Sequence, residues 1–492
     1  MSEMGLEQID ATDSQEHVDG TAKAPVKHSR LSTLAFVLLA VIPVVAAAVY
    51  GSVDAWALGL QSLLVAVLTL VWIADVFVKG KLDLNFNISP LPLLVLILIG
   101  VLQILPLFGA SVTEAFLNSE VAGTISLDPF ATKFALIQLV VYLLYFLAAL
   151  HFLNSASRLR VMVYSIIVFC SIAAFFGILQ FLTKPDAIYG LRPTPFAEPF
   201  GPYVNKHHFA ALMEMSFGMS FALFLGHQSS REKKMLLLIS MVLAGISIVL
   251  TGSRGGVLSA SAVALFVLVA TVVSTRMKDS EAGTNQGRAG NLISSGILLV
   301  TIAALVIGSV FMLGGDSSLI RGFGVVESDD FSTGRIHFWQ VTWEVIKSSP
   351  FVGVGFDSLA VAFTQFDTWN GTVRVEQSHN DYLQIFAEAG IFGLLSVIAF
   401  ILIVFKKGIR NIGRHGFGFS KSMAIGALGG LLGVLVHSFF DFPLRTPSNG
   451  FFFILLTVFA TSNVRFHVQR QERRRRSKKT GWSSFITTPK ES

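Results

Sequence analysis

The sequence is poor in cysteine and in charged residues. Its one cysteine, Cys170, lies within an apolar stretch, so a disulfide framework and a cysteine-based metal site are excluded. Charged residues make up 14% of the 492 residues and hydrophobic residues 53%, a balance far from that of an ordinary soluble domain. A Walker loop and a dinucleotide-binding glycine pattern are also missing, so nothing in the sequence supports an ATP-driven pump.

Long apolar runs account for this composition. Most of them approach the roughly 20 residues that a helix needs to cross a bilayer core. They cover 31–50, 56–78, 87–108, 131–153, 160–182, 208–226, 234–251, 254–274, 293–313, 391–405, 422–440 and 450–463. Their hydrophobic residues are continuous rather than alternating, which indicates helices rather than a barrel. The sequence therefore predicts an all-α, polytopic membrane protein with about twelve spans.

The basic residues predict the orientation in the membrane. With the N-terminal tail inside, most Lys and Arg residues fall on the cytoplasmic side, including the four-arginine run at 473–476. Such a basic tail is typical of attraction to anionic membrane lipids, and we expect no nucleic-acid partner. The predicted organisation is a flexible cytoplasmic tail (1–30), spans one to nine (31–313), a large external loop (314–390), spans ten to twelve (391–463) and a basic cytoplasmic tail (464–492).

Ten of the 37 Lys and Arg residues remain on the predicted outer side. Positive charge placed against the positive-inside rule needs a local reason, and an anionic ligand at the outer face is one such reason. The ten residues are Lys133, Lys184, Arg192, Lys206, Arg254, Arg321, Arg335, Lys347, Arg374 and Arg445.

Two of these arginines stand at predicted helix starts. Arg254, in "LTGSRGGVL", lies in a short reversal whose glycines allow a close approach to a ligand, and the N–H groups of the next helix favour an anion. Arg335 begins a predicted amphipathic helix that we expect to lie along the membrane interface. The apolar residues of that helix are Ile336, Trp339, Trp343 and Ile346. Both arginines are candidate phosphate ligands, with contact to lipid head groups as the alternative.

The stretch "QSHNDYLQIFAEAG" (377–390) concentrates polar residues directly before an apolar run. Ser378 and Asp381 have the spacing of a capping box, which explains Asp381 without chemistry. His379 falls near the first helical position, where the helix dipole favours a neutral ring that can accept a proton. A dyad of His379 and Asp381 along one helix is not expected, because the two would be about 200° apart around it.

Several motifs together resemble the O-antigen ligase and polymerase superfamily of bacterial envelope glycosyltransferases. They are "TGSRGG", "STGRIHFWQ" with "SSPFVGVGFDSL", "SHNDYLQIFAEAGIFGLL" and "GPYVNKHHFAALMEM", within roughly 190–400. In the last motif this sequence has Lys206-His207 where Arg/His-Asn is common in the superfamily. The hydropathy outside the matched part agrees with the resemblance.

The resemblance implies a reaction. Superfamily members take a glycan carried on undecaprenyl diphosphate at the outer leaflet and transfer it to an acceptor hydroxyl. At the matching positions, Arg254 and Arg335 would hold the donor diphosphate and His379 would activate the hydroxyl. Four further residues are secondary candidates for the site: Arg321, Arg192, Asn205 and His208. We expect a bacterial inner-membrane enzyme with its site facing the periplasm, without a metal or another cofactor, since no Asp-rich motif is present.

Two alternatives remain open at this point. Within the superfamily, the protein could be a ligase or a polymerase, with lipid A core, a second lipid-linked glycan or a protein as acceptor. Outside it, a transporter or channel for a small anion would need ionisable residues along a path through the membrane. Asp75, His151 and Glu214 lie in or near spans but give no clear relay.

Overall fold

The computed structural model describes residues 29–80, 87–107, 123–195, 197–226, 230–282, 334–369, 374–414 and 418–464, with only the backbone for 275–282. In these ranges the chain is almost entirely helical, with one two-stranded hairpin, β1 (Ala187–Ile188) and β2 (Arg192–Pro193). The helices are α1 (Arg30–Ala48), α2 (Ala55–Lys79), α3 (Leu91–Ile104), α4 (Pro129–Phe152), α5 (Ala156–Thr183), α6 (Lys206–Gly226), α7 (Arg231–Leu250), α8 (Arg254–Ala282), α9 (Arg335–Ser348), α10 (Leu359–Phe363), α11 (Asp381–Arg414), α12 (Phe419–His437) and α13 (Pro447–Thr461).

The all-α, polytopic fold class is confirmed. Within the described ranges, nine helices are long and apolar enough to cross a membrane, and α3 and α13 are shorter apolar helices. Every predicted span in those ranges coincides with a helix. The predicted span at 293–313, both tails and the secondary candidate Arg321 lie outside the described residues.

Helices α6 and α12 form the buried centre of the bundle, and glycines bring their backbones together. A Cβ atom on Gly218 would lie 2.9 Å from the backbone nitrogen of Gly430, and one on Gly426 would lie 2.8 Å from Cα of Met219. Small residues at such crossings allow close helix packing in membranes. As a result, the polar residues of α6 and α12 face each other across a short distance.

The connections before α6, α8 and α11 meet the segment 438–446 at one end of the bundle. The backbone N–H of Asp381 donates to the carbonyl of Ser438 (2.9 Å), and Ser253 reaches the side chain at the end of α12. Segment 438–446 lies between α12 and α13 and joins these three connections at the same end of the bundle.

Helix α11 begins ten residues earlier than the predicted span at 391–405 and is kinked at Gly390 (φ 64°, ψ −167°). A Cβ atom at Gly390 would collide with the carbonyl of Phe351. Segment 350–355 follows the kink closely: Val354 N–H donates to Ala387 (3.0 Å), and Ile391 N–H donates to Pro350 (2.8 Å). The polar residues from Asp381 up to the kink are therefore helical. The kink at Gly390 lets the same helix continue into the membrane span in a new direction.

Helix α9 occurs where the amphipathic pattern predicts it, and Arg335 is its first residue. However, the residues of the predicted apolar stripe do not all face the same environment. Ile336 and Trp343 are exposed, whereas Ile346 is buried and the indole N–H of Trp339 donates to the carbonyl of Ser378 (3.0 Å). The helix is thus fastened to the loop before α11 as well as presenting apolar surface.

Candidate active site

The start of α11 is capped by Asn380, not by Ser378. Oδ1 of Asn380 accepts from the N–H groups of Tyr382 (3.0 Å) and Leu383 (3.1 Å), as an N-cap side chain does. Ser378 instead donates its hydroxyl to the carbonyl of Asn380 (2.8 Å). The capping-box interpretation was therefore wrong, and His379 precedes the cap instead of occupying the first turn.

Asp381 joins α11 to the end of α12. Its Oδ2 accepts a hydrogen bond from the hydroxyl of Ser438 (2.8 Å), and its backbone N–H donates to the carbonyl of the same residue. These two hydrogen bonds give Asp381 a structural role, so its presence at this position needs no catalytic explanation. They also fix the distance between the loop that carries His379 and segment 438–446.

His379 is held in a backbone conformation that is uncommon outside glycine (φ 52°). Its Nδ1 is buried and lies 3.4 Å from Oδ1 of Asp441, and it has no nearer hydrogen-bond partner in the described part of the chain. This separation is long, and catalytic hydrogen bonds often tighten only when substrate is bound. A third of the His379 side chain is exposed (33%). Nε2, on the other side of the ring, is thus the nitrogen available to a substrate.

Aromatic rings hold the imidazole of His379 on two sides. The ring of Phe338, from the first turn of α9, is stacked at 5.8 Å, and the ring of Phe442 is edge-on at 4.9 Å. Phe442 in turn contacts the ring of His208 at 4.7 Å. This packing restricts the orientation of the imidazole, and it joins residues from four separate segments.

Asp441 is the candidate site residue that the sequence analysis missed. The side chain is buried and is approached by Nε2 of His208 (3.8 Å) as well as by His379. Burial opposes ionisation, but the nearby imidazoles of His208 and His379 outweigh it and hold the pKa of the Asp441 carboxyl well below its usual range. The carboxylate is therefore charged at neutral pH. The only signal in the sequence was one acid between aromatic residues in "FFDFP".

The secondary candidates Asn205 and His208 lie behind Asp441. Oδ1 of Asn205 accepts from the N–H of His207 (2.8 Å) and so caps α6. His208 is buried, and its Nδ1 is hydrogen-bonded to the hydroxyl of Thr446. His208 therefore approaches the carboxylate from within the protein, and Asn205 caps the helix that carries His208.

Arg335 and Arg254, the predicted diphosphate ligands, begin helices at this end of the bundle. Arg335 lies close enough to His207 for the two charges to interact, and Phe338, one turn further along α9, contacts His379. Arg254 follows a turn of positive φ at Gly252 (65°), and its side chain is exposed. The predicted short reversal between α7 and α8 is confirmed.

Two outer arginines are paired with carboxylates of the protein. Arg192 forms a two-pronged contact with Asp54 (2.9 and 2.6 Å), which fastens the β1–β2 hairpin to the start of α2. Arg445 contacts Asp357 (3.0 Å) and the buried carboxylate of Glu388. These ion pairs supply a local reason for positive charge at both positions.

Comparison with known proteins shows what part of this chain is similar to. Residues 239–398 match the family model described as O-Antigen ligase, and they include Arg254, Arg335 and His379. The exopolysaccharide production protein ExoQ of Rhizobium meliloti is 28% identical over 160 residues, which make up 30% of this chain and 35% of ExoQ. The match thus spans about a third of that relative. Both similarities support the resemblance to the O-antigen ligase superfamily that the motifs predicted.

Proposed function

We propose that the protein transfers a glycan from undecaprenyl diphosphate to a hydroxyl group of an acceptor glycan or glycolipid. The reaction would take place at the periplasmic face of the bacterial inner membrane. The approach of His379 to the Asp441 carboxylate carries the proposal, because a carboxylate behind an imidazole is the arrangement of an oriented base. Arg335 and Arg254 at the same end of the bundle supply charge for a diphosphate.

In the proposed reaction, His379 removes the proton of the acceptor hydroxyl. The proton goes to Nε2 while Asp441 faces Nδ1 and stabilises the imidazolium that forms. The acceptor oxygen forms a bond to the anomeric carbon, and the bond from that carbon to the diphosphate oxygen breaks. The leaving diphosphate keeps the electron pair, and the guanidinium groups of Arg254 and Arg335 stabilise its negative charge. This division of roles needs no metal.

The transfer would serve O-antigen ligation or the polymerisation of O-antigen or exopolysaccharide. The similarity to a protein named for exopolysaccharide production favours polymerisation. In that case the acceptor is a second glycan of the same kind, and one site uses both lipid-linked molecules.

The test uses purified protein in liposomes with a glycan on undecaprenyl diphosphate and a matching acceptor. His379→Ala should lower transfer by about 10²–10⁴-fold, the contribution of a general base. Binding of undecaprenyl diphosphate should stay near that of the wild type, because a base acts in the transition state. Arg254→Lys keeps the charge but loses the planar fork, so it should weaken binding as well.

Excess EDTA should leave transfer by the wild-type protein unchanged. Loss of activity that magnesium or manganese restores would contradict the metal-independent proposal. A fully active His379→Ala protein would remove the base from the mechanism, and a wild-type protein that binds no undecaprenyl diphosphate would remove the donor.

A further inference from the structure

A buried acid–base pair between α6 and α12 has no part in the proposed reaction. Oε1 of Glu214 lies 2.8 Å from Nδ1 of His437, and the side chains are 0% and 1% exposed. Both residues belong to helices that can cross the membrane. Ionisable groups at such positions are expensive to bury and usually have a function. The sequence analysis noted Glu214 but found no partner for it, because His437 lies more than two hundred residues later.

The other ring nitrogen of His437, Nε2, faces the turn that precedes Arg254. Nε2 of His437 is 3.4 Å from the hydroxyl oxygen of Ser253, the residue directly before Arg254. The same oxygen accepts a hydrogen bond from the N–H of Gly256 (3.1 Å), so Ser253 caps α8. One histidine ring thus connects Glu214 in α6 with the cap of the helix that Arg254 begins.

The turn also packs directly on the ring of His437. A Cβ atom at Gly255 would lie 3.1 Å from Cδ2 of His437, a tighter contact than most Cβ atoms make. Both the hydrogen bond to Ser253 and the contact at Gly255 act on residues next to Arg254. The position of the Arg254 backbone therefore depends on the position of the ring.

An ion pair and two hydrogen bonds can together fix the orientation of the His437 ring. With Glu214 as a carboxylate and His437 as an imidazolium, the buried pair has no net charge. Nδ1–H then donates to Glu214 and Nε2–H donates to Ser253, whose oxygen has a second lone pair for the N–H of Gly256. The second oxygen of Glu214 has no hydrogen-bond partner in the described part of the chain, and a Cβ atom at Gly433 would lie 3.5 Å from it. Rotating the ring of His437 would leave buried polar groups without hydrogen bonds, so the pair holds the ring in place.

We propose that Glu214 and His437 are positioning residues for the lipid-diphosphate donor. They orient the turn at 252–255 so that the guanidinium of Arg254 meets the diphosphate in a fixed geometry. The inference rests on the proposed function, since it takes Arg254 to be a donor ligand. The pair does not touch the donor. It sets donor affinity through Ser253.

Two substitutions of His437 separate its two contacts. In His437→Asn, the side-chain amide can replace Nδ1 toward Glu214 but is too short to reach Ser253. In His437→Gln, the amide extends to the place of Nε2. We expect His437→Asn to raise the donor KM by about two- to tenfold, the effect of one hydrogen bond, with kcat nearly unchanged. His437→Gln should restore part of the donor affinity, and Ser253→Ala should behave like His437→Asn.

A double-mutant cycle tests whether His437 acts through Arg254. If it does, adding His437→Asn to Arg254→Lys should raise the donor KM less than it does in the wild type. The matched control is Asn411→Ala, which removes buried hydrogen bonds to Ala460 (3.0 Å) and Ser462 (3.1 Å) at the opposite end of the bundle. It should lower the unfolding temperature without changing the donor KM.

Direct binding of undecaprenyl diphosphate to the detergent-solubilised protein gives a second readout. Weaker binding by His437→Asn but not by Asn411→Ala is the expected result. Normal binding and an unchanged donor KM in His437→Asn would overturn the positioning role. Fully additive effects in the Arg254→Lys background would also overturn it. Failure of the proposed function would appear differently, as a wild-type protein that neither binds the lipid nor transfers a glycan.

Discussion

An imidazole that accepts a proton becomes a cation, and a carboxylate beside it stabilises that cation. In this protein the carboxylate is that of Asp441, which approaches Nδ1 of His379 and is supported from behind by His208. Because the pKa of Asp441 is held well below its usual range, the carboxylate stays charged unless the pH falls far into the acidic range. The charge that opposes the imidazolium is therefore present at every pH near neutrality.

Asp441→Asn should reduce glycan transfer by at least about tenfold, which corresponds to about 1.4 kcal/mol in the barrier. The amide keeps the size of the side chain but loses the charge that stabilises imidazolium. In the His379→Ala background the same substitution should have little further effect, since both residues serve one proton transfer. Initial rates of the two single variants and the double variant, each at saturating donor, measure this coupling. Independent losses that multiply in the double variant would contradict the shared role.

The contacts of Asp441 and Arg445 could not be predicted from the sequence. His379, Arg254 and Arg335 each stand in a local pattern of glycines, polar residues and helix starts, and these patterns were sufficient to select them. Asp441 acquires its role only through residues of α6 and of the loop before α11. Such contacts follow from the packing of α6 against α12, which no local pattern describes.

The kink of α11 shows how one helix serves both the membrane and the site. Its first part, from Asp381 to the kink, faces α9 and segment 350–355, and its second part is the apolar span. Gly390 permits the change of direction because its φ of 64° is accessible to glycine and strained for other residues. The sequence predicted a helix start near His379 and an apolar span from residue 391, but it did not predict the change of direction between them.

Gly390→Ala should lower the unfolding temperature and reduce transfer. The strained backbone costs about 1–3 kcal/mol, and the added Cβ would collide with the carbonyl of Phe351. Gly245→Ala in α7 is the matched control, because a Cβ there meets no atom within 4 Å and alanine favours helix. Thermal unfolding of both variants in the same detergent gives the comparison. An unchanged unfolding temperature for Gly390→Ala would show that the kink is not held by this contact.

In the molecule as a whole, polar contacts gather at both ends of the helix bundle. The site occupies the end where α7 meets α8, whereas Asp75 with Lys79, and Asn411 with the residues after α13, lie at the other end. This separation agrees with the positive-inside prediction, in which the site end is periplasmic. The orientation itself stays a prediction.

Cysteine labelling of intact cells tests that orientation. Glu376→Cys, at an exposed position beside the site, should react with an impermeant maleimide, and Glu232→Cys, at the exposed start of α7, should not. Ser378 is unsuitable as a reporter because it is fully buried. The native Cys170 is also buried, so the unmodified protein serves as the unlabelled control. Labelling of Glu232→Cys alone would invert the predicted topology.

The distance along the chain between His379 and Asp441 has a consequence for biogenesis. During synthesis the ribosome completes the loop with His379 first, and Asp441 and Arg445 emerge only after α11 and α12. A partly translated chain therefore exposes the imidazole without its carboxylate, and Glu388 without its arginine. Under the proposed function, the chain would become able to transfer a glycan only after α12 and segment 438–446 are in place, and a nascent chain would be inactive until then.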